Sequence, residues 1–210
     1  MSKVGPLGRQ PRGIIFVISG PSGVGKGTVL RAALEQVEGI EVSVSATTRP
    51  PRANEEHGVA YYFMSDDEFS AAVEQGKFLE WAHYHRWRYG TLRSEVQRIT
   101  GQGCDVALEI DVQGARQVRA TCPESVLICL LPPSFDDLRV RLEKRGTETV
   151  EEIAERLEVA KEEIRSAKEF DYIVVNDEIQ SAAQELCAIF RSERLRVCRA
   201  NVDAILGQLT

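Results

Sequence analysis

The residues of this chain best suited to chemistry stand near its start, where Gly20-Pro21-Ser22-Gly23-Val24-Gly25-Lys26 has the spacing G-x-x-x-x-G-K. Glycines so placed let successive backbone N–H groups converge on one point, and a helix beginning there adds its positive end. Lys26 adds a full charge suited to the β- and γ-phosphates of a nucleoside triphosphate. Thr28 is a further phosphate contact. After the lysine this loop ordinarily carries Ser or Thr as a Mg²⁺ ligand, but here the residue is Gly27. Magnesium would then depend on nucleotide oxygens, water and a carboxylate elsewhere, which suits an ion that keeps several waters. A glycine turn with an incidental lysine is the bland alternative.

Three other groups are candidates. Val44 to Arg52 sets Arg49 and Arg52 three residues apart around a stiffening proline pair, a clamp for a doubly charged phosphate or simply a solvated basic turn. Cys104 to Asp111 reads as a strand ending in alternate carboxylates, Glu109 and Asp111, facing magnesium and the transferring phosphate or merely the surface. Arg141, Arg145 and Arg156 flank the polar stretch Lys144 to Thr149, where guanidinium groups can neutralise the charge that develops on a transferring phosphoryl group. They also fit surface pairing, as of Glu152 with Arg156. His57, His83 and His85 have no metal-ligand spacing, and an acceptor phosphate, already anionic, needs no base.

These residues must be held by elements. Ile14 to Ser19 is a continuous apolar run, the pattern of a parallel strand covered on both faces, and Thr28 to Val37 has helical spacing before a short strand around Val42 to Ser45. From Cys104 onward strand and helix alternate: Cys104 to Ile110, Gln113 to Ala120, Val126 to Leu131, Asp136 to Glu143, a long helix capped by Thr149 with Glu152, Tyr172 to Val175, and a last helix. This predicts an α/β, three-layer P-loop NTPase fold, a central parallel sheet with helices on both faces. Residues 46–94 hold most aromatics and all three histidines, and read as an inserted substrate-facing subdomain with a short helix behind a Ser65/Glu68 capping box. The expected layout is a flexible arm at 1–12 and a domain at 13–210, with core segments 13–45, 95–142 and 150–210, the insert at 46–94 and a lid at about 143–149.

With 210 residues, 43% hydrophobic and 28% charged, the chain can bury a full core. A net charge of −6 argues against nucleic acid or an anionic membrane as main partner. Five scattered cysteines, an odd number, point to a reducing, cytoplasmic setting, and no signal peptide or membrane span is visible.

The motifs GPSGVGKGT, VSATTRPPR, GVAYYF (58–63), FLEWA (78–82), YGT (89–91), EIDVQG (109–114) and RLEKRGTET (141–149), in order over Ile14 to Arg196, together resemble guanylate kinase. The resemblance implies an inserted nucleotide-monophosphate-binding subdomain, a mobile lid, and reversible phosphorylation of GMP and dGMP by ATP with Mg²⁺, in purine nucleotide metabolism. It places the acceptor phosphate on Arg49, Arg52 and Tyr61, and sets Ser45, Glu80, Tyr89, Thr91 and Asp111, with Glu109 beside them, around the guanosine. Lys26, Arg49, Arg141 and Arg156 would carry catalysis, and Gly20 to Thr28 with Arg145 and Asn176 would hold ATP. Glu80 can accept the adjacent N1–H and N2–H₂ donors of guanine, a pair adenine lacks, and Thr91 can donate to O6. Tyr61 and Tyr89 also fit plain packing. Where the family more often has Asp, this chain has Glu109. A kinase for another small phosphorylated acceptor and a non-catalytic phosphopeptide-binding module are the rival readings, and a homo-oligomer is left open.

Overall fold

The structure is a computed structural model that describes residues 13–84, 86–144, 150–199, 202, 206 and 207, with backbone alone at 84 and 150–152. The arm at 1–12, His85, Arg145 and the Thr149 cap lie outside the described residues.

Strand β1 (Ile15–Ser19) is buried on both faces and sits between β7 (Asp105–Glu109) and β8 (Val126–Leu131). Adding β2 (Ile40–Val42) and β9 (Tyr172–Val175) gives a parallel sheet in the order β2-β7-β1-β8-β9. The strand at 42–45 expected from sequence is thus shifted to 40–42. Because side chains alternate along a strand, Phe16 and Ile18 point into one core and Val17 into the other. The first core is closed by α1 (Lys26–Leu34) and α7 (Ile179–Arg194), with Phe16 and Phe190 edge to face at 4.7 Å. The second is closed by α3 (Arg93–Gly101) and α4 (Val112–Thr121) through Val96, Ile99, Ala115 and Val118. Helices cover both faces, as the alternation of elements requires.

A second sheet, in the order β4-β3-β6-β5, comprises β3 (Ala46–Thr47), β4 (Tyr62–Phe63), β5 (Phe78–Tyr84) and β6 (Trp87–Leu92). Helix α2 (Asp66–Glu74) packs Phe69 against Phe78, rings stacked at 4.4 Å, and begins with the capping box read from the sequence: Ser65 accepts from Glu68 N while Glu68 accepts from Ser65 N. Helices α5 (Phe135–Glu143) and α6 (Val150–Arg165) pack through Leu138, Leu142 and Ala160. All five cysteines are free thiols. No helix among the described residues is long and apolar enough to cross a membrane.

Phe190 is fully buried and joins α7 to the central strand. Phe190→Ala is expected to cost about 3–5 kcal/mol, read from the urea midpoint at unchanged slope.

Candidate active site

Between β1 and α1 the chain turns through Gly20, Gly23 and Gly25 at φ 137°, 88° and 94°, a region that favours glycine. Space demands glycine as well: a Cβ at Gly20 would lie 2.1 Å from the Leu130 carbonyl, and one at Gly25 2.8 Å from the Asn176 amide nitrogen. Lys26 curls over the loop, its Nζ donating to the Gly20 carbonyl at 2.6 Å and the Pro21 carbonyl at 3.3 Å. Burial lowers its pKa, opposed by the negative charges of Glu163, Glu109 and Asp111.

The loop is also held from behind. Asn176 Nδ2 donates to the Val24 carbonyl at 2.7 Å, Arg141 Nη1 donates to the same oxygen at 3.3 Å, and Arg141 Nη2 donates to the Asn176 carbonyl at 2.9 Å. Arg141, read from sequence as a catalytic arginine, and Asn176, read as an ATP contact, thus both hold the Val24 carbonyl of the glycine loop.

In front of the loop opens a cleft of about 1030 Å³, at the upper end of the range for small-molecule sites. Its walls join the two sheets. Ser22, Gly23, Gly25, Lys26, Gly27 and Thr28 line it from the loop and the start of α1, Ser45, Arg52, Tyr61, Glu80 and Tyr89 from residues 45–92, and Glu109, Asp111 and Arg156 complete the lining. Most residues chosen from sequence meet there. Gly20, Pro21, Val24, Arg49, Thr91 and Arg141 are not on its lining, and neither is Asn176.

Arg49 forms a bidentate pair with Glu55 at 2.7 and 2.8 Å, with its guanidinium 5.4 Å from the centre of the Tyr61 ring. The Arg52 N–H donates to Glu55 as well, so one carboxylate organises the whole arginine turn and is itself held below the usual carboxylate range by Arg49. Tyr61 and Tyr89 meet edge to face at 6.0 Å, which makes them packing partners and cleft walls at once. Burial raises the Tyr61 pKa.

Glu80 on β5 faces Thr91 on β6 and is only 4% exposed. Burial pushes its pKa up to about 7; Thr91 offsets part of the rise and the charge on Asp111 adds to it. The Thr91 hydroxyl lies beside that carboxylate yet makes no hydrogen bond of full geometry. A Cβ at Gly114 would stand 2.5 Å from Glu80 Oε2, so glycine is what lets α4 start against this carboxylate. Asp111 caps the same helix, accepting from Gly114 N at 2.7 Å. A cap that also lines the cleft was not part of the sequence reading.

Arg31, Ala82 and Glu163 line the cleft too and were missed. Helical spacing was the available signal, since Arg31 follows Thr28 by three residues and Glu163 follows Arg156 by two turns. Glu163 accepts from the Ser22 N–H, and burial raises its pKa against the pull of Lys26. Among the described residues no group of three His, Cys, Asp or Glu could hold a metal by itself. The hard oxygen donors Glu109, Asp111 and Thr28 on one cleft fit a Mg²⁺ that arrives with nucleotide phosphates and keeps part of its water.

The chain matches the family model "Guanylate kinase" over residues 12–193. It is 47% identical to the guanylate kinase of Symbiobacterium thermophilum over 96% of this chain and 98% of that protein, and 47% identical to that of Thermotoga maritima over 92% and 93%. The crystal structure of guanylate kinase from Anaplasma phagocytophilum superposes with a TM-score of 0.75 at 32% identity, covering 92% of each chain.

The raised Glu80 pKa has a consequence for stability. The folded protein keeps a proton that an unfolded chain releases near the ordinary value of 4.5, so stability falls as pH rises from there to about 7, and the full penalty stands above. Glu80→Gln is expected to unfold at higher temperature than the parent at about pH 8, by on the order of 1–3 kcal/mol, with the gap closing toward about pH 5.

Proposed function

The chain belongs to the guanylate kinase family, and from that premise we propose how its residues carry out the reaction, transfer of the γ-phosphoryl group of ATP to GMP. It is an ATP:GMP phosphotransferase. The observation that carries the residue-level reading is a buried carboxylate, Glu80, on the same cleft as the glycine loop.

ATP lies with its phosphates over Ser22 to Thr28, where the backbone N–H groups and the start of α1 receive them. Lys26 exchanges its two loop carbonyls for phosphate oxygens, and Glu163 gives up the Ser22 N–H. The Arg141–Asn176 clamp on Val24 keeps the loop rigid while this happens. GMP lies across the second sheet, its phosphate on Arg52 and Tyr61 and, once Glu55 yields it, Arg49. Guanine donates N1–H and N2–H₂ to Glu80 and accepts from Thr91. These donors favour the ionised carboxylate and so bring the Glu80 pKa down on binding. dGMP fits equally, since no assigned contact needs the 2′-hydroxyl.

Little covalent work falls to the protein: it aligns an already anionic acceptor oxygen with the γ-phosphorus and places positive charge from Lys26 and Arg156 where negative charge spreads. When bound, Mg²⁺ neutralises charge on the β- and γ-phosphates, and Glu109, Asp111 and Thr28 are the residues that would face it. Free thiols and a net charge of −6 support a cytoplasmic protein without a polyanionic partner.

ADP production from Mg-ATP, measured with GMP, dGMP, AMP, CMP and UMP, tests this. Turnover is expected with GMP and dGMP alone, and Glu80→Gln should lose roughly ten- to hundredfold in kcat/KM for GMP. Equal turnover of AMP, or an unaffected Gln variant, would remove Glu80 from base recognition.

A further inference from the structure

Two residues depart from the ordinary pattern of their motifs, and one stands where a side chain on the other would go. Gly27 is the second residue of α1 and is absent from the positive-φ glycines, so no backbone demand selects it. Space does. A Cβ at Gly27 would stand 2.9 Å from Oε2, 3.3 Å from Oε1 and 3.5 Å from the carboxyl carbon of Glu109, and these are its three nearest neighbours. The carboxylate at the end of β7 therefore occupies the volume that a Ser or Thr side chain takes in the common form of this loop.

Glu109 has no other employment. It is exposed and lines the cleft beside Lys26, Gly27 and Thr28, and its carboxylate makes no side-chain hydrogen bond or ion pair among the described residues. Its neighbours are engaged: Asp111 caps α4, and the half-buried Glu163 accepts from the Ser22 N–H. The negative charge of Glu109 is felt by Lys26.

We propose that Gly27 and Glu109 act as one unit, in which the missing side chain at 27 clears the path for the longer carboxylate of 109, and that carboxylate supplies the protein oxygen that the loop hydroxyl supplies elsewhere to the metal of a metal–nucleotide complex. This rests on reading Gly20 to Lys26 as the donor-nucleotide site. The exchange changes the chemistry, because a neutral hydroxyl tolerates bare phosphates whereas an anionic carboxylate repels them until a cation lies between. Nucleotide binding here should depend strongly on the divalent ion.

The test is ADP binding to the full chain by calorimetry, in excess Mg²⁺ and in EDTA. Glu109→Gln is expected to tighten ADP binding in EDTA and weaken it in Mg²⁺, shrinking the gain from the metal about tenfold. Gly27→Ser should lower both that gain and the melting temperature, and Gly27→Ser combined with Glu109→Asp, one methylene shorter, should recover more than half of both losses. A Glu109→Gln shift of the same size and sign in both buffers overturns the metal-facing role, and a double variant that merely sums the singles overturns the unit. If Gly27→Ser does not fold, the Gln comparison decides by itself. A parent chain that binds no ADP in either buffer overturns the nucleotide reading of the loop, and with it this proposal.

Discussion

Everything at this site depends on the shape of the Gly20–Lys26 turn, which its positive-φ glycines allow and the start of α1 continues. Such a turn concentrates the positive ends of peptide dipoles, and their mutual repulsion favours a relaxed shape. Three constraints prevent this. The flanking β1 is locked in mid-sheet, the positive-φ glycines sit too close to Leu130, Leu142 and Asn176 to carry a side chain, and the Val24 carbonyl is clamped by Asn176 and Arg141. Side chains at the loop add to this: Lys26 bonds loop carbonyls and the Glu163 carboxylate takes the Ser22 N–H. Nucleotide binding then becomes an exchange of partners at prepaid geometry.

The acceptor wall rests on a different compromise. Glu80 is buried where an ionised carboxylate is poorly solvated, an arrangement that weakens the fold near neutral pH. Gly114 makes room for it by bringing the start of α4 against its oxygens, while Asp111 caps that helix and adds negative charge nearby. A buried acceptor with few partners of its own discriminates well, because a base that cannot donate leaves it poorly paired. Recognition and stability therefore pull in opposite directions at one residue. On the far side of the same wall, Glu55 holds Arg49 and the Arg52 backbone in a ready-made turn.

How much of this was legible in advance depends on whether a feature is local. The strands Val126–Leu131 and Tyr172–Val175, the capping box at Ser65 and the glycine loop are set by neighbours within a few residues, and were readable as such. The second sheet was visible only as a composition shift, because its strands β3 and β4 are two residues each and are held by pairing across the sheet, β3 with β6 and β4 with β3. Arg141 and Asn176 were recognised as site residues, but their place behind the loop follows from α5 and β9 docking beside Val24, more than a hundred residues away in sequence.

The sequence by itself determined the class of fold, the phosphate loop and, through its ordered motifs, the family, since glycine spacing and hydrophobic alternation act over a few residues. Only the tertiary structure decided that Glu80 is buried enough to titrate near neutrality, that Asp111 is a cap as well as a wall, and that Gly27 and Glu109 share one space. Burial and contact belong to pairs of residues brought together by packing, and no spacing along the chain encodes the distance across a folded cleft.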